Sequence, residues 1–447
     1  MSKTQRQNPS VGVRTLSPLR DFLHKEAAGA VLLALGALVA LIWANSPWAG
    51  SYESFWHSRT AITVAGHSLE LDLRHWVNDG LMTIFFLVVG LEIKREIAHG
   101  HLANRRAALL PGVAALGGML VPALVYLAIA GTVAPRGWAI PVATDIALAV
   151  GVLSVAGGRV PSSLRAFLLG LAIVDDIGAI IIIAAVYSTG VTVGWLAAAV
   201  VGVAVTILVQ RIQVQTVFVY VVIGVVIWLG LYEGGVHPTL AGVAMGLLAP
   251  SSPRKQVELI DVEEISDVTA AESAIAASKS ARASVSVVEW LQHMLHPWTS
   301  FVIVPVFALA NSGIEISVDS IQDAAGSAVT WGVFTGLLLG KPLGIFIATR
   351  MASRSGIADL PSGSSSRQIL GAGTAAGIGF TVAIFITELA LPNAADQANA
   401  KLAILFASVI AACFALALLL RGKGIDTTVT KEGVIRLRRS SRLSRQD

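Results

Sequence analysis

The sequence predicts an all-α polytopic membrane protein with about twelve transmembrane helices, and three observations carry that prediction. Only 13% of the 447 residues are charged, about half the share of a soluble globular domain. Mean hydropathy is +0.73, so the surface of so long a chain faces lipid. Lys and Arg also segregate to alternate connecting segments, as the positive-inside rule requires of a multi-pass topology. A soluble enzyme, a disordered scaffold and a collagen-like fibre are excluded. The single cysteine, Cys413, excludes a disulfide framework and a cysteine-built metal site.

Residues 1–26 are polar and basic, with no short apolar stretch leading to a small-residue cleavage site, so the first apolar run is expected to be a span of the mature protein. About twenty apolar residues cross a bilayer as a helix. That ruler finds runs near 27–45, 76–93, 107–130, 139–156, 166–187, 192–210, 215–232, 235–249, 290–313, 328–349, 368–390 and 402–420. The pieces at 139–156 and 235–249 are short or interrupted. With the N-terminus inside, 27 of the 32 basic residues fall on the cytoplasmic side. Four (Arg59, Arg74, Arg136 and Lys401) fall on the other, and Lys341 alone is left within a span. A miscounted span in mid-chain would scramble this split, so both termini are expected in the cytoplasm of an inner (plasma) membrane protein.

The chain therefore divides into a cytoplasmic segment at 1–26, a transmembrane domain at 27–420 with a polar cytoplasmic loop at about 251–287, and a basic cytoplasmic tail at 421–447. A net charge of +4 invites a nucleic-acid partner, but the tail lies beside the cytoplasmic leaflet. Attraction to anionic lipid, about 1 kcal/mol per basic residue, accounts for it. The partners expected are lipid and ions, not nucleic acid.

Seven ionisable residues fall inside the spans: Asp79, Glu92, Asp145, Asp175, Asp176, Lys341 and Glu388. A charge at mid-bilayer costs at least ~2.5–3.5 kcal/mol, so such residues read as functional by default. For Asp79, Glu92 and Glu388 the alternative is a place at the headgroup boundary. Asp175 and Asp176 stand at the centre of the 22-residue run Ala166–Tyr187. Two adjacent carboxylates there cannot both be ionised cheaply, because the apolar medium penalises each charge and each charge penalises its neighbour. The pair is stable holding protons or holding a cation, which is the minimum machinery of an exchanger. Lys341, in Gly340-Lys341-Pro342-Leu343-Gly344, suggests an ion pair with one of them.

Asp145 belongs to Pro141-Val142-Ala143-Thr144-Asp145, where proline and nearby glycines suit an interrupted helix whose freed carbonyls and Thr144 hydroxyl coordinate a hard cation. A second glycine-rich break lies near 371–381. Paired breaks in the two halves point to a midplane site between inverted-topology repeats.

The strings that carry these residues are WVNDGLMTIFFLVVGLEIKRE (76–96), WAIPVATDIALAVGVL (138–153), LAIVDDIGAIIII (171–183), GVHPTLAGV (235–243), LHPW (295–298), GKPLG (340–344) and GIGFTVAIFI (377–386). In this order they resemble the NhaA family of sodium/proton antiporters, itself a type example of inverted repeats. The resemblance implies that the interrupted fourth and eleventh helices cross near the midplane. It implies Asp176 as principal cation ligand, Asp175 as the group that exchanges its proton and pairs with Lys341, and Thr144 as a lining residue, with Na⁺ held at Asp176 and Asp175. Asp145 would offset facing half-helix N-termini and Lys341 facing C-termini. Asp79, Arg95 and Glu96 would belong to the cytoplasmic funnel, and Glu92 to the pH response. Family members are inner-membrane exchangers of Na⁺ or Li⁺ for more protons than cations, and a homodimer is a further partner that the resemblance allows.

Two positions depart from the family pattern. Gln292 precedes His293 where Glu is common, with Glu289 one turn back, and Pro238 follows His237 where Ala is common. His237, His293 and His296 are candidate pH sensors because imidazole titrates near neutrality; bonded histidines at helix ends are the alternative. The expected function is pH-dependent, electrogenic secondary antiport of Na⁺ or Li⁺ against H⁺, for sodium extrusion and pH homeostasis, with no cofactor and no phosphate-binding loop. A K⁺-preferring exchanger is the runner-up. An intramembrane aspartic protease needs carboxylates that share a proton, and a lysine neutralising one would defeat that. A metalloprotease lacks its H-E-x-x-H motif. Counterflow separates a carrier from a passive channel.

Overall fold

A computed structural model describes residues 17–64, 67–188, 190–214, 216–252 and 285–421. Most of residues 1–26, most of the 251–287 loop and the tail beyond 421 lie outside the described residues. What is described is almost entirely helical. Its elements are α1 (Ser17–Ala44), α2 (Ala49–Trp56), β1 (Arg59–Val64), β2 (His67–Asp72), α3 (Met82–His99), α4 (Arg105–Ala130), α5 (Ile146–Ala156), α6 (Ser162–Val186), α7 (Val193–Arg211), α8 (Val217–Glu233) and α9 (Leu240–Leu248). Then come α10 (Val287–Trp298), α11 (Val304–Asn311), α12 (Val318–Gly326), α13 (Ala328–Thr335), α14 (Lys341–Arg354), α15 (Ser366–Ala376), α16 (Phe380–Ala390) and α17 (Ala394–Leu420). Several join end to end. Among the described residues nine helical segments are long and apolar enough to cross a membrane, or ten if α15 and α16, bent by 46°, count as one. Helix stands at each of the twelve expected stretches, but α8 has 17 residues and α9 only nine. The protein is a multi-pass membrane protein.

One departure from an all-α fold is a hairpin. β1 and β2 pair antiparallel, Arg59 opposite Asp72 and Val64 opposite His67. The β-branched run Thr60, Ile62, Thr63, Val64 favours strand, and six-residue strands escape a twenty-residue ruler. A second departure concerns Lys401. The last long helix begins at Ala394, not near 402, so Lys401 lies inside it, 8% exposed, and is ion-paired to Glu388 of α16. On the sequence Lys401 counts as a loop residue; the pair compensates two charges that would otherwise be costly in an apolar medium.

Close packing fixes the frame. α9 lies against α3, α14 against α4, and α15 against α17. A Cβ on Gly344 would overlap the Gly117 backbone, so α4 and α14 approach through glycines. The largest buried cluster, including Phe307, Leu337, Ile378 and Phe385, wraps the two chain breaks described below. By contrast α7 and α8 turn apolar side chains outward, with Val200 67% and Phe218 73% exposed, as helices bathed in hydrocarbon do. π-helical turns interrupt three segments, at Trp76–Leu81, Thr299–Ile303 and Gly336–Gly340. Asp79 lies in the first, and Lys341 follows the last directly.

Candidate functional site

Pro141 ends a tight 3₁₀ segment, Pro135–Val142, and the next residues run extended until α5 starts at Ile146. Proline cannot donate to a helix ladder, so the chain leaves helical geometry here and frees backbone groups. The second break separates α15 from α16 at residues 377–379. A Cβ on Gly377 would stand 2.5 Å from the Leu337 carbonyl, which explains glycine at that position. The two breaks meet. Asp145 N–H donates to the Ile378 carbonyl at 2.7 Å, and the Thr144 hydroxyl donates to the Ala376 carbonyl at 2.9 Å.

Asp145, 2% exposed, is held at the N-termini of both α5 and α16. Its Oδ1 accepts from Leu148 N–H at 3.1 Å, and its Oδ2 accepts from Thr381 N–H at 3.1 Å and the Thr381 hydroxyl at 2.6 Å. A carboxylate there meets the positive ends of two half-helices and their unpaired N–H groups. Thr381 stands in the GIGFT string, but only the fold brings it to Asp145.

Asp175 on α6 and Lys341 at the start of α14 are 1% and 0% exposed. Lys341 Nζ donates to Asp175 Oδ2 at 2.6 Å and also to the Val142 carbonyl, the last residue before the first break. The Thr144 hydroxyl also lies 2.7 Å from the same Oδ2, so its one proton is shared between that carboxylate and the Ala376 carbonyl. Asp175 Oδ1 has no hydrogen-bond partner among the described residues. Asp176, one residue on and partly buried, takes part in no hydrogen bond or ion pair there. One carboxylate is thus neutralised by an ammonium and the next is left to other company. Asp175 Oδ1 and the Asp176 carboxylate are thus oxygens of this cluster's neighbourhood with no hydrogen-bond partner among the described residues.

The other candidate residues fall elsewhere. Asp79 and His237, far apart in sequence, come together at 3.7 Å with side chains 13% and 9% exposed. His237 Nδ1 lies 2.8 Å from the Thr239 hydroxyl, and the His237 ring meets the Phe385 ring edge-on with centroids 5.0 Å apart. Glu92 and Arg95 are 4.0 Å apart on one helix face, and Glu96 is buried. Gln292 is buried on α10 with Oε1 lacking a partner among the described residues, whereas His293 is exposed and His296 is half-buried. Glu289 turns away from His293 to the helix N-terminus, where its carboxylate accepts from the Ser286 hydroxyl at 3.2 Å. The structure therefore joins Thr144, Asp145, Asp175 and Lys341 into one cluster and pairs Asp79 with His237. It does not bring His293 into hydrogen-bond contact with either.

Comparison with known proteins gives the family. The family model described as Na+/H+ antiporter 1 matches residues 20–419. The chain is 46% identical over 434 residues to the Na(+)/H(+) antiporter NhaA 2 of Myxococcus xanthus, covering 94% of this chain and 92% of that one. It is 45% identical over 417 residues to the Na(+)/H(+) antiporter NhaA 2 of Sorangium cellulosum, covering 90% and 89%. A third relative, the Na(+)/H(+) antiporter NhaA of Rhodopirellula baltica, is 43% identical over 420 residues, covering 91% and 94%. Because these matches run through both helix breaks and the carboxylates beside them, the chain belongs to the Na+/H+ antiporter 1 family.

Proposed function

We propose that this protein is a secondary transporter that exchanges Na⁺ or Li⁺ for H⁺ across the plasma membrane by alternating access. The observation that carries the reading is the buried Asp175–Lys341 contact at 2.6 Å beside Asp176, which has no ion-pair partner among the described residues. A cation entering between the two carboxylates needs both charges. It must therefore replace the ammonium at Asp175 and any proton on Asp176. When protons return, Lys341 recovers Asp175 and the cation loses its ligands. If Lys341 gives up its ammonium proton as it leaves Asp175 and Asp176 gives up its own, two protons replace one monovalent cation, which makes the cycle electrogenic and lets an inward proton gradient drive sodium out. Asp176 is the principal ligand, Thr144 holds Asp175 and lines the site, and Asp145 and Lys341 balance the half-helix ends. No ATP and no cofactor enter the cycle.

The same reading arranges twelve spans in inverted repeats, with 135–159 and 366–390 as interrupted helices crossing at the midplane, and both termini in the cytoplasm. It keeps 27–420 as the transport domain between a cytoplasmic N-terminal segment and a basic tail, and it allows a homodimer. It ties the pH response to Glu92, His237, His293 and His296, and the cytoplasmic funnel to Asp79, Arg95 and Glu96. For Asp79 and His237, their contact at 3.7 Å supports a shared role.

The test uses inside-out vesicles under an imposed proton gradient, followed with a pH-sensitive dye. Na⁺ or Li⁺ should dequench the dye, and Asp176→Asn should abolish the response. Silence toward Na⁺, Li⁺ and K⁺ across pH 6 to 9 would sink the exchanger reading; a response to K⁺ alone would reassign the cation.

A further inference from the structure

The half-helix α16 is fastened at the end away from Asp145, and by residues that its own stability does not call for. Glu388 lies in its last turn, where the partial negative charge of a helix C-terminus opposes a carboxylate. Lys401 lies two turns into the apolar helix α17 and is 8% exposed, where an ammonium is costly. Each is a poor choice alone, yet Lys401 Nζ and Glu388 Oε1 form an ion pair. Paired exceptions of this kind are expected where function, not local stability, sets the choice. One turn earlier on α17, Gln397 Nε2 donates at 2.7 Å to the carbonyl of Leu391, the residue that ends α16. Positions 397 and 401 share a face of α17, so two side chains of one helix clamp the last turn of the other.

What stands at the opposite end gives the clamp its significance. On its N-terminal side α16 has no helical continuation, because the break at 377–379 separates it from α15 and the two helices are bent by 46°. Glu388 lies seven residues beyond Thr381, two turns and about 10 Å along the same face. Thr381 supplies the amide, at 3.1 Å, and the hydroxyl, at 2.6 Å, that hold Asp145 Oδ2. Asp145 follows Thr144, whose hydroxyl lies 2.7 Å from Asp175 Oδ2. A short helix carries a shift at one end to the other. We propose that Lys401 and Glu388 are positioning residues for the cation site: their ion pair sets α16 along its axis and so keeps the Thr381 amide and hydroxyl on Asp145. Neither residue touches the cation. The proposal rests on the antiport reading for what the site binds, but not for how α16 is held.

The test compares full-length wild type with Lys401→Met, Glu388→Gln and the charge swap Lys401→Glu with Glu388→Lys. Dye dequenching in inside-out vesicles gives the half-saturating Na⁺ concentration, which does not depend on how much protein folds. It should rise on the order of tenfold in Lys401→Met, the usual cost of removing an outer support of a metal site, and return toward wild type in the swap. Glu388→Gln leaves Lys401 an acceptor and is the milder change, so it stands if Lys401→Met fails to fold; its half-saturating concentration should rise less. Amide hydrogen exchange of the purified protein, read on peptides covering 377–386, should be faster in both single variants and slow again in the swap. Amide rates equal to wild type in both single variants overturn the proposal. So does faster amide exchange with the half-saturating Na⁺ concentration unchanged, or a swap that restores neither. A wild type silent toward Na⁺ and Li⁺ would sink the antiport reading instead, and the amide rates at 377–386 would still decide whether the pair holds α16.

Discussion

Replacing Lys341 with alanine is the sharpest perturbation of the buried pair. Both partners are almost fully out of solvent, at 0% and 1% exposure. Without the ammonium, Asp175 keeps one hydrogen bond, from Thr144 at 2.7 Å, and its Oδ1 has none. Removing one member of a buried ion pair costs about 3–5 kcal/mol, chiefly because the other charge is stranded. Adding Asp175→Asn removes the stranded charge, so the double variant should be more stable than Lys341→Ala alone. Since the two groups are in contact, the coupling in the double-mutant cycle should reach about 1–3 kcal/mol. The assay is unfolding of purified protein in mixed micelles, followed by tryptophan fluorescence for wild type, both single variants and the double. Additive losses, or a Lys341→Ala variant as stable as wild type, would refute the pairing.

Further expectations test the parts around it. Thr381→Val deletes the 2.6 Å hydrogen bond from hydroxyl to Asp145; stability measured the same way should fall by about 1.5–3 kcal/mol, the range for a bond to a charged group, and Thr381→Ser should restore it. Gly344→Leu forces a side chain into the Gly117 backbone and should abolish folded protein in a size-exclusion assay, whereas Gly112→Ala, which meets open space, should be neutral. At the end of the hairpin, burial pushes the Asp72 carboxyl up, but the His75 backbone N–H and ring, both at 2.7 Å, outweigh it and hold Asp72 below its ordinary value. A folded-state value below the unfolded one stabilises above the unfolded value, about 4, and that stabilisation is lost as pH falls through the folded one. Amide exchange in the hairpin should therefore be faster in Asp72→Asn than in wild type near neutrality, with the difference closing below about pH 4.

The bilayer explains how much of this could be read from sequence. It imposes a single length on apolar helices, so twelve stretches stand out, and it makes every charge inside them conspicuous, so Asp145, Asp175, Asp176 and Lys341 announce themselves. Features without that leverage stay hidden. The hairpin is too short for the ruler, and the π-helical turns beside Asp79 and Lys341 leave no periodicity to count. Lys401 lies two turns into a helix whose polar start disguises it, so its bond to Glu388 emerges only in the fold. Thr381 and Asp145 are 3.1 Å apart through a backbone amide only because two breaks meet. Likewise the contact between Asp79 and His237 joins residues that sequence reading assigns to separate tasks.

The central claim is that protons, carried on Asp176 and on the Lys341 ammonium that pairs with Asp175, compete with one cation for the two carboxylates. Proton release from purified protein in weakly buffered detergent, on adding Na⁺ or Li⁺, measures that competition directly. The account predicts release that saturates with cation in wild type and vanishes when both aspartates are replaced by Asn. Cation binding without proton release, or release undiminished in the Asp175→Asn, Asp176→Asn protein, would contradict it.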